Sequence, residues 1–256
     1  MDLELTGKTA LVVGASRGVG RAVALSLARE GCDVGVLARS DAPLRETADA
    51  VKALGRKSAA ATCDVSNARS LDAALNAVRA ELGTPTVVVL SVAALWTPRK
   101  LHLQESAEAK ALLDTDLFSA VEICRQTLPD MMTARFGRIV ALSSIAARTG
   151  ISGGALYAAA KSGLEGLIRG LAVDYSRRGV SAVAVALGFV DSERLKGRVA
   201  GDDAHREKLI NATATRRIPT VDEVADFVTV LCSPKSAALT GSVIDLSAGA
   251  HLNNLW

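Results

Sequence analysis

Seven short runs of valine, alanine, leucine and isoleucine punctuate the chain, and longer stretches with helical spacing lie between them. The runs are KTALVV (8–13), CDVGVLA (32–38), KSAAATC (57–63), TVVVLS (86–91), GRIVALSS (137–144), SAVAVAL (181–187) and SVIDLS (242–247). Nearly continuous in apolar residues, they read as strands buried on both faces, as the strands of a parallel sheet are. The intervening stretches at about 18–30, 42–54, 67–82, 104–134, 155–178 and 221–232 read as helices. This alternation builds βαβ units. The expected architecture is α/β: a single doubly wound domain over residues 1–256, with a parallel seven-stranded sheet and helices on both faces. Ligands in such sheets bind beyond the carboxyl ends of the strands, so the residues that follow each strand are the ones to search.

With 256 residues, 49% of them hydrophobic, the chain can bury one large core. The net charge of +3 comes from lysines and arginines dispersed along the chain and not interleaved with its few aromatics, so no nucleic-acid partner is expected. The N-terminal MDLELTGK carries two acids before any apolar run, which argues against a signal peptide. The longest apolar stretch, TVVVLSVAALW (86–96), is too short to cross a bilayer, so no membrane association is expected. Cys32, Cys63, Cys124 and Cys232 lie far apart without a C-x-x-C, and His102, His205 and His251 lack ligand spacing and read as surface residues. Neither a metal site nor a disulfide framework is expected, and a cytoplasmic location is the default.

Directly after the first strand comes GASRGVG, with Gly14, Gly18 and Gly20 in G-x-x-x-G-x-G spacing and a helix following at once. A tight strand-to-helix turn needs unusual dihedrals, and a pyrophosphate must approach bare backbone N–H groups at a helix N-terminus. The position in the first βα unit points to a dinucleotide. An acid at the end of the second strand would take the ribose 2′-hydroxyl of NAD, but that strand ends in Ala38 and Arg39. Arg17 in the glycine turn and Arg39 instead offer two guanidiniums to a 2′-phosphate, which favours NADP(H) over NAD(H). Asp64, after the third strand, is placed to accept from the adenine amino group or to serve the N-cap region of the next helix.

One of the chain's two tyrosines, Tyr157, stands four residues before Lys161, one helical turn away on the same face. Ser144, at the end of the fifth strand, can meet both over one substrate. A phenol alone holds its proton too firmly for acid–base work near neutrality. An ammonium about 4 Å away, at an effective dielectric of about 20, stabilises the phenolate by on the order of 4 kcal/mol before desolvation is subtracted.

With GASRGVG, the Asp64-Val65 pair, GRIVALSS, YAAAK and LGFVDS (187–192) in this order over almost its whole length, the chain resembles the short-chain dehydrogenase/reductase family, and its 3-oxoacyl-carrier-protein reductase-like members in particular. The resemblance implies a Rossmann-type fold and an NADP(H)-dependent ketoreductase that passes hydride between nicotinamide and a carbonyl or secondary alcohol substrate. It implies Tyr157 as general acid/base, Ser144 as hydrogen-bond donor to the substrate oxygen, and Lys161 as the residue tuning Tyr157 and holding the nicotinamide ribose. Cofactor contacts are implied at Ser16 and Val19 in the glycine turn, at Val65 and Ala93, and at Gly188, Val190 and Ser192. The resemblance further implies a homotetramer or homodimer built on the helices at 104–134 and 155–178. The segment 191–220 is expected to be a mobile substrate lid within the domain. Leu95, Trp96, Ile151 and Leu195 are expected in the pocket lining, and the tail HLNNLW (251–256) is expected to reach a neighbour.

Four departures from the family pattern stand out. Val13 replaces the threonine before the first glycine, Ser91-Val92-Ala93-Ala94 replaces Asn-Asn-Ala-Gly, Leu187 replaces a proline, and Asp116 replaces the asparagine that supports a water relay to the lysine. The substitutions at 13 and 91–94 imply reduced side-chain bracing, and Asp116 implies an altered relay in which a carboxylate accepts but cannot donate. They give a foothold to an alternative, a nucleotide-binding protein without turnover. A second motif, GISGG (150–154), fits G-x-S-x-G, but Ser152 lies several residues beyond the strand where a nucleophile elbow must sit.

Overall fold

The computed structural model describes residues 2–252, so Met1 and the 253–256 part of the tail lie outside the described residues. All seven runs are strands: β1 (Thr9–Val13), β2 (Asp33–Ala38), β3 (Ser58–Thr62), β4 (Val87–Leu90), β5 (Gly137–Ser144), β6 (Val180–Leu187) and β7 (Val243–Leu246). They form one parallel sheet in the order β3-β2-β1-β4-β5-β6-β7. Successive residues of β1 explain why the run has no polar alternation. Ala10 and Val12 pack with α1 (Gly18–Arg29), α2 (Asp41–Ala53) and α10 (Val221–Cys232). Leu11 and Val13 pack on the opposite face with α3 (Ala68–Leu82), α5 (Ser119–Ala134) and α7 (Ala155–Tyr175).

Burial on both faces holds for the central strands but not at the edges. All four residues of β7 are half-buried, and Ala60 and Thr62 of β3 face solvent. β3 and β7 end the strand order, so each has a flank with no neighbouring strand. The stretch expected as one helix at 104–134 is α4 (Ser106–Leu113), a π-helical turn over Asp114–Phe118, and α5. Such wide turns occur mostly as single interruptions of α-helices, often at functional positions. A four-residue α6 (Ala146–Thr149) precedes α7, and the segment expected as a lid holds α8 (Glu193–Arg198) and α9 (Asp203–Asn211). Asp64 does not cap α3. Asn67 is the cap, its side chain accepting from Ser70 N at 3.0 Å.

The sheet order reverses direction between β1 and β4, and the crevice at their carboxyl ends is where the connections diverge to opposite faces. The glycine turn, the segment after β4, Ser144 and the residues after β6 all converge on that rim. Among the described residues, no helix is long and apolar enough to cross a membrane and no group of three metal-ligating side chains occurs.

Candidate active site

Gly14 leaves β1 at φ +88°, a left-handed backbone suited to glycine, and a Cβ there would stand 2.7 Å from the Ser91 carbonyl oxygen. Gly20 is required for another reason. A Cβ on it would lie 2.2 Å from Gly14 O, so strand and helix could not cross so closely. The bracing that Val13 cannot supply comes from α2, where the buried Thr47 hydroxyl donates to Ala15 O at 3.0 Å. Arg17 caps α1 without a side-chain hydrogen bond, and no acid occupies the helix's first turn. The first N–H groups of α1 are thus free to meet an anionic phosphate.

Arg17 and Arg39 are both exposed. Donation from the Ser66 hydroxyl and N–H holds the Asp64 carboxyl below the usual range, and Arg39 adds a Coulombic contribution in the same direction. Val65, beside it, is buried. On the far side, a Cβ on Gly188 would stand 2.8 Å from Ser247 Cβ, so the chain can pass there only as glycine. Ser192 caps α8, accepting from Leu195 N at 3.4 Å, while Asp191 N donates to Pro219 O and ties the start of the 191–220 segment to its end.

Lys161 projects from α7 into the interior and is 2% exposed. Its ammonium lies 3.3 Å from Asp116 Oδ2, an ionic contact off the hydrogen-bonding direction, and donates to Val92 O at 3.3 Å and Leu142 O at 3.4 Å. The ammonium also stands 5.7 Å from the centre of the Tyr157 ring. The departure at Asp116 therefore places a buried carboxylate directly against the lysine. Its other oxygen accepts from Ala94 N at 2.5 Å, so Asp116 supplies bracing that the SVAA segment lacks in its own side chains. The π-helical turn carries this carboxylate inward.

Ser144 Oγ accepts from Ala146 N at 3.2 Å, leaving its own hydrogen available to a substrate oxygen. Ser152 is exposed between α6 and α7, away from any strand end, which removes the nucleophile-elbow reading. Tyr157 is half-buried and stacks on Trp96, with centroids 5.1 Å apart and planes at 23°. Leu95, expected to line the pocket, is 68% exposed and turns outward. His251, expected at the surface, is half-buried and within 2.8 Å of the buried Ser247 hydroxyl. Sequence reasoning missed Thr47, the Trp96–Tyr157 stack and the Ser247–His251 pair. The only signal for any of them was an indole in a chain with 3% aromatics.

A family model described as enoyl-(acyl carrier protein) reductase matches residues 14–251. The 3-oxoacyl-(acyl-carrier-protein) reductase FabG of Pseudomonas aeruginosa is 34% identical over 251 residues, covering 98% of this chain and 100% of that protein. The Escherichia coli protein of the same name is 30% identical over 250 residues, again covering 98% and 100%. Among solved structures, a putative short-chain alcohol dehydrogenase from Sinorhizobium meliloti superposes with TM-score 0.92 at 28% identity, covering 99% of this chain and 100% of that one. A 3-oxoacyl (acyl-carrier-protein) reductase from Agrobacterium tumefaciens with NADP bound gives 0.91 at 26% identity, covering 97% and 96%. Matches that run from the glycine turn to the last strand, on a sheet of this order, lead to one assignment: the chain belongs to the short-chain dehydrogenase/reductase family.

Proposed function

We propose that the protein is an NADP(H)-dependent oxidoreductase that interconverts a carbonyl and a secondary alcohol. The observation that carries the reading is the buried Lys161 ammonium 5.7 Å from the centre of the Tyr157 ring, with Ser144 at the end of β5 keeping its hydroxyl hydrogen undonated and α1 starting without a side-chain cap. The residues present suit the dinucleotide. Gly14, Ser16, Gly18, Val19 and Gly20 offer bare backbone to the pyrophosphate, Arg17 and Arg39 paired charge to the 2′-phosphate, and Asp64 and Val65 a seat for the adenine. Ala93, Gly188, Val190 and Ser192 would secure the nicotinamide end. When bound, the cofactor supplies or accepts the hydride.

The chain's own residues manage the proton. Tyr157 would give its hydroxyl proton to the carbonyl oxygen in reduction and take it back in oxidation. Ser144 would donate a hydrogen bond to the same oxygen. Lys161 favours negative charge on the phenol oxygen, and Asp116 offsets part of that field while fixing where the ammonium sits. The 191–220 segment would close over the substrate. Exposed Phe118 at the α5 junction, with Val121 on α5 and Val173 on α7, supports a dimer or tetramer built on these helices, working in the cytoplasm where its four unpaired thiols stay reduced.

The names of the relatives make 3-oxoacyl thioesters the first substrate class to assay. The test pairs binding titrations of NADPH and NADH with NADPH oxidation over thioesters and simple ketones, with Tyr157→Phe as control. Tighter NADPH binding and turnover abolished in Tyr157→Phe are expected. Weaker NADPH than NADH binding overturns the cofactor assignment. Tight binding without turnover on any carbonyl replaces the enzyme with the non-catalytic nucleotide-binding reading.

A further inference from the structure

Helical side chains lean back over the turn that precedes them, so Tyr157 should rest on the residues three and four positions earlier. Those are Gly154 and Gly153, which have no side chains to receive it. The space is filled from another element. After β4 the chain runs without regular structure through residues 91–100, fastened by Ala94 N to Asp116 Oδ1 at 2.5 Å and by Arg99 N to Gly153 O at 3.0 Å. Between these fastenings Trp96 lays its indole against the Tyr157 ring. A Cβ on residue 154 would stand 2.4 Å from Ile151 Cγ2 and 2.8 Å from Trp96 Cη2, so glycine there leaves room for both side chains.

We propose that Trp96 is the positioning residue for Tyr157: the indole replaces the side-chain bed missing just before α7 and fixes where the phenol presents its hydroxyl to the substrate. The inference rests on the reading of Tyr157 as the acid–base group. Offset stacking of two aromatic rings is directional, so it sets a ring's tilt as well as its depth. Asp116 belongs to the same device. One carboxylate holds the Lys161 ammonium and the segment that delivers Trp96, so both groups that act on the phenol are referenced to a single point on the π-helical turn.

The test uses the full chain. Trp96→Ala should lower kcat by about tenfold to a hundredfold, the range expected when a reacting group is displaced by a fraction of an ångström to an ångström, with the KM for NADPH little changed. Trp96→Phe, which keeps a stacking ring, should restore most of the loss. Gly154→Ala, which crowds both Ile151 and the indole, should lower kcat in the same direction as Trp96→Ala. An unchanged kcat in Trp96→Ala, or a loss confined to KM, overturns the proposal.

A spectroscopic readout makes the inference independent of turnover. In a Trp256→Phe background Trp96 is the sole tryptophan, and a phenolate stacked on indole quenches its emission whereas a phenol does not. A pH titration should show a quenching step that disappears in Tyr157→Phe. The other tyrosine, Tyr175, lies 18 residues further along α7, about 27 Å away at the helical rise, and leaves that step unaffected. The charged groups this geometry brings to the phenol are Lys161 on its own helix and, through it, Asp116. No step, or one that survives Tyr157→Phe, overturns the stack as a positioning contact. A step in a protein that turns over no carbonyl supports the positioning contact while the proposed activity fails.

Discussion

Replacing Asp116 with alanine tests the buried charge pair at the centre of the site. The carboxylate and the Lys161 ammonium are 3.3 Å apart, with side chains 0% and 2% exposed. At an effective dielectric of about 20 the attraction at that separation is about 5 kcal/mol, opposed by the cost of drying both ions. Removing one partner leaves the ammonium buried with only the Val92 and Leu142 carbonyls. Breaking a buried pair in this way costs about 3–5 kcal/mol, a large share of the stability of a domain of this size. Asp116→Asn should cost about 1 kcal/mol less, because the amide oxygen still accepts from Ala94 N while the amide nitrogen cannot accept from an ammonium. The residue usual in the family should thus be destabilising here. Urea unfolding followed by circular dichroism, at one protein concentration and without cofactor, measures the shift in midpoint at constant slope. Adding Lys161→Met to Asp116→Ala removes the orphaned charge and should recover part of the loss. A cost below about 1 kcal/mol for Asp116→Ala, or strict additivity in the double variant, would refute the argument from a dry, compensated pair.

Three further outcomes are expected from the same structure. Ala248 sits at φ +53°, so Ala248→Gly should raise stability by about 0.5–1 kcal/mol, the relief of left-handed strain outweighing glycine's added freedom when unfolded; a lowered midpoint counts against it. Gly20→Ala drives a Cβ to 2.2 Å from Gly14 O and should cost about 1–3 kcal/mol together with NADPH affinity, read by unfolding and by titration. Burial pushes the Cys32 and Cys124 thiols up to about 12 and raises Cys63 and Cys232 as well, so a thiol reagent should modify none of the four in the native protein and all four after denaturation.

Much of the architecture was legible because parallel strands buried on both faces must be apolar throughout, and nothing else in a chain of this composition writes that pattern seven times. The helix boundaries fell within a residue or two where caps or glycines mark them, as at Gly18 and Thr220. The break at Asp114–Phe118 was not legible. A π-helical turn inserts a residue without changing the apolar spacing enough to register, and the contacts of Asp116 that accompany it, with Lys161 and Ala94, join elements remote in the chain. The half-buried β7 was misread for a related reason, since a strand's sequence states its affinity for a core but not whether a neighbour lies on its flank.

The sequence by itself determined the sheet, the glycine turn, and the presence of a serine at a strand end with a tyrosine and a lysine on the long helix that follows it. Those follow from short-range rules, namely the pleat, the helical pitch and the backbone freedom of glycine. Only the tertiary structure decided what Asp116 does, which ring supports Tyr157, and that Thr47 braces the turn from another helix. Each of these joins residues that are remote in the chain, and a contact between remote residues exists only once the core has closed around it.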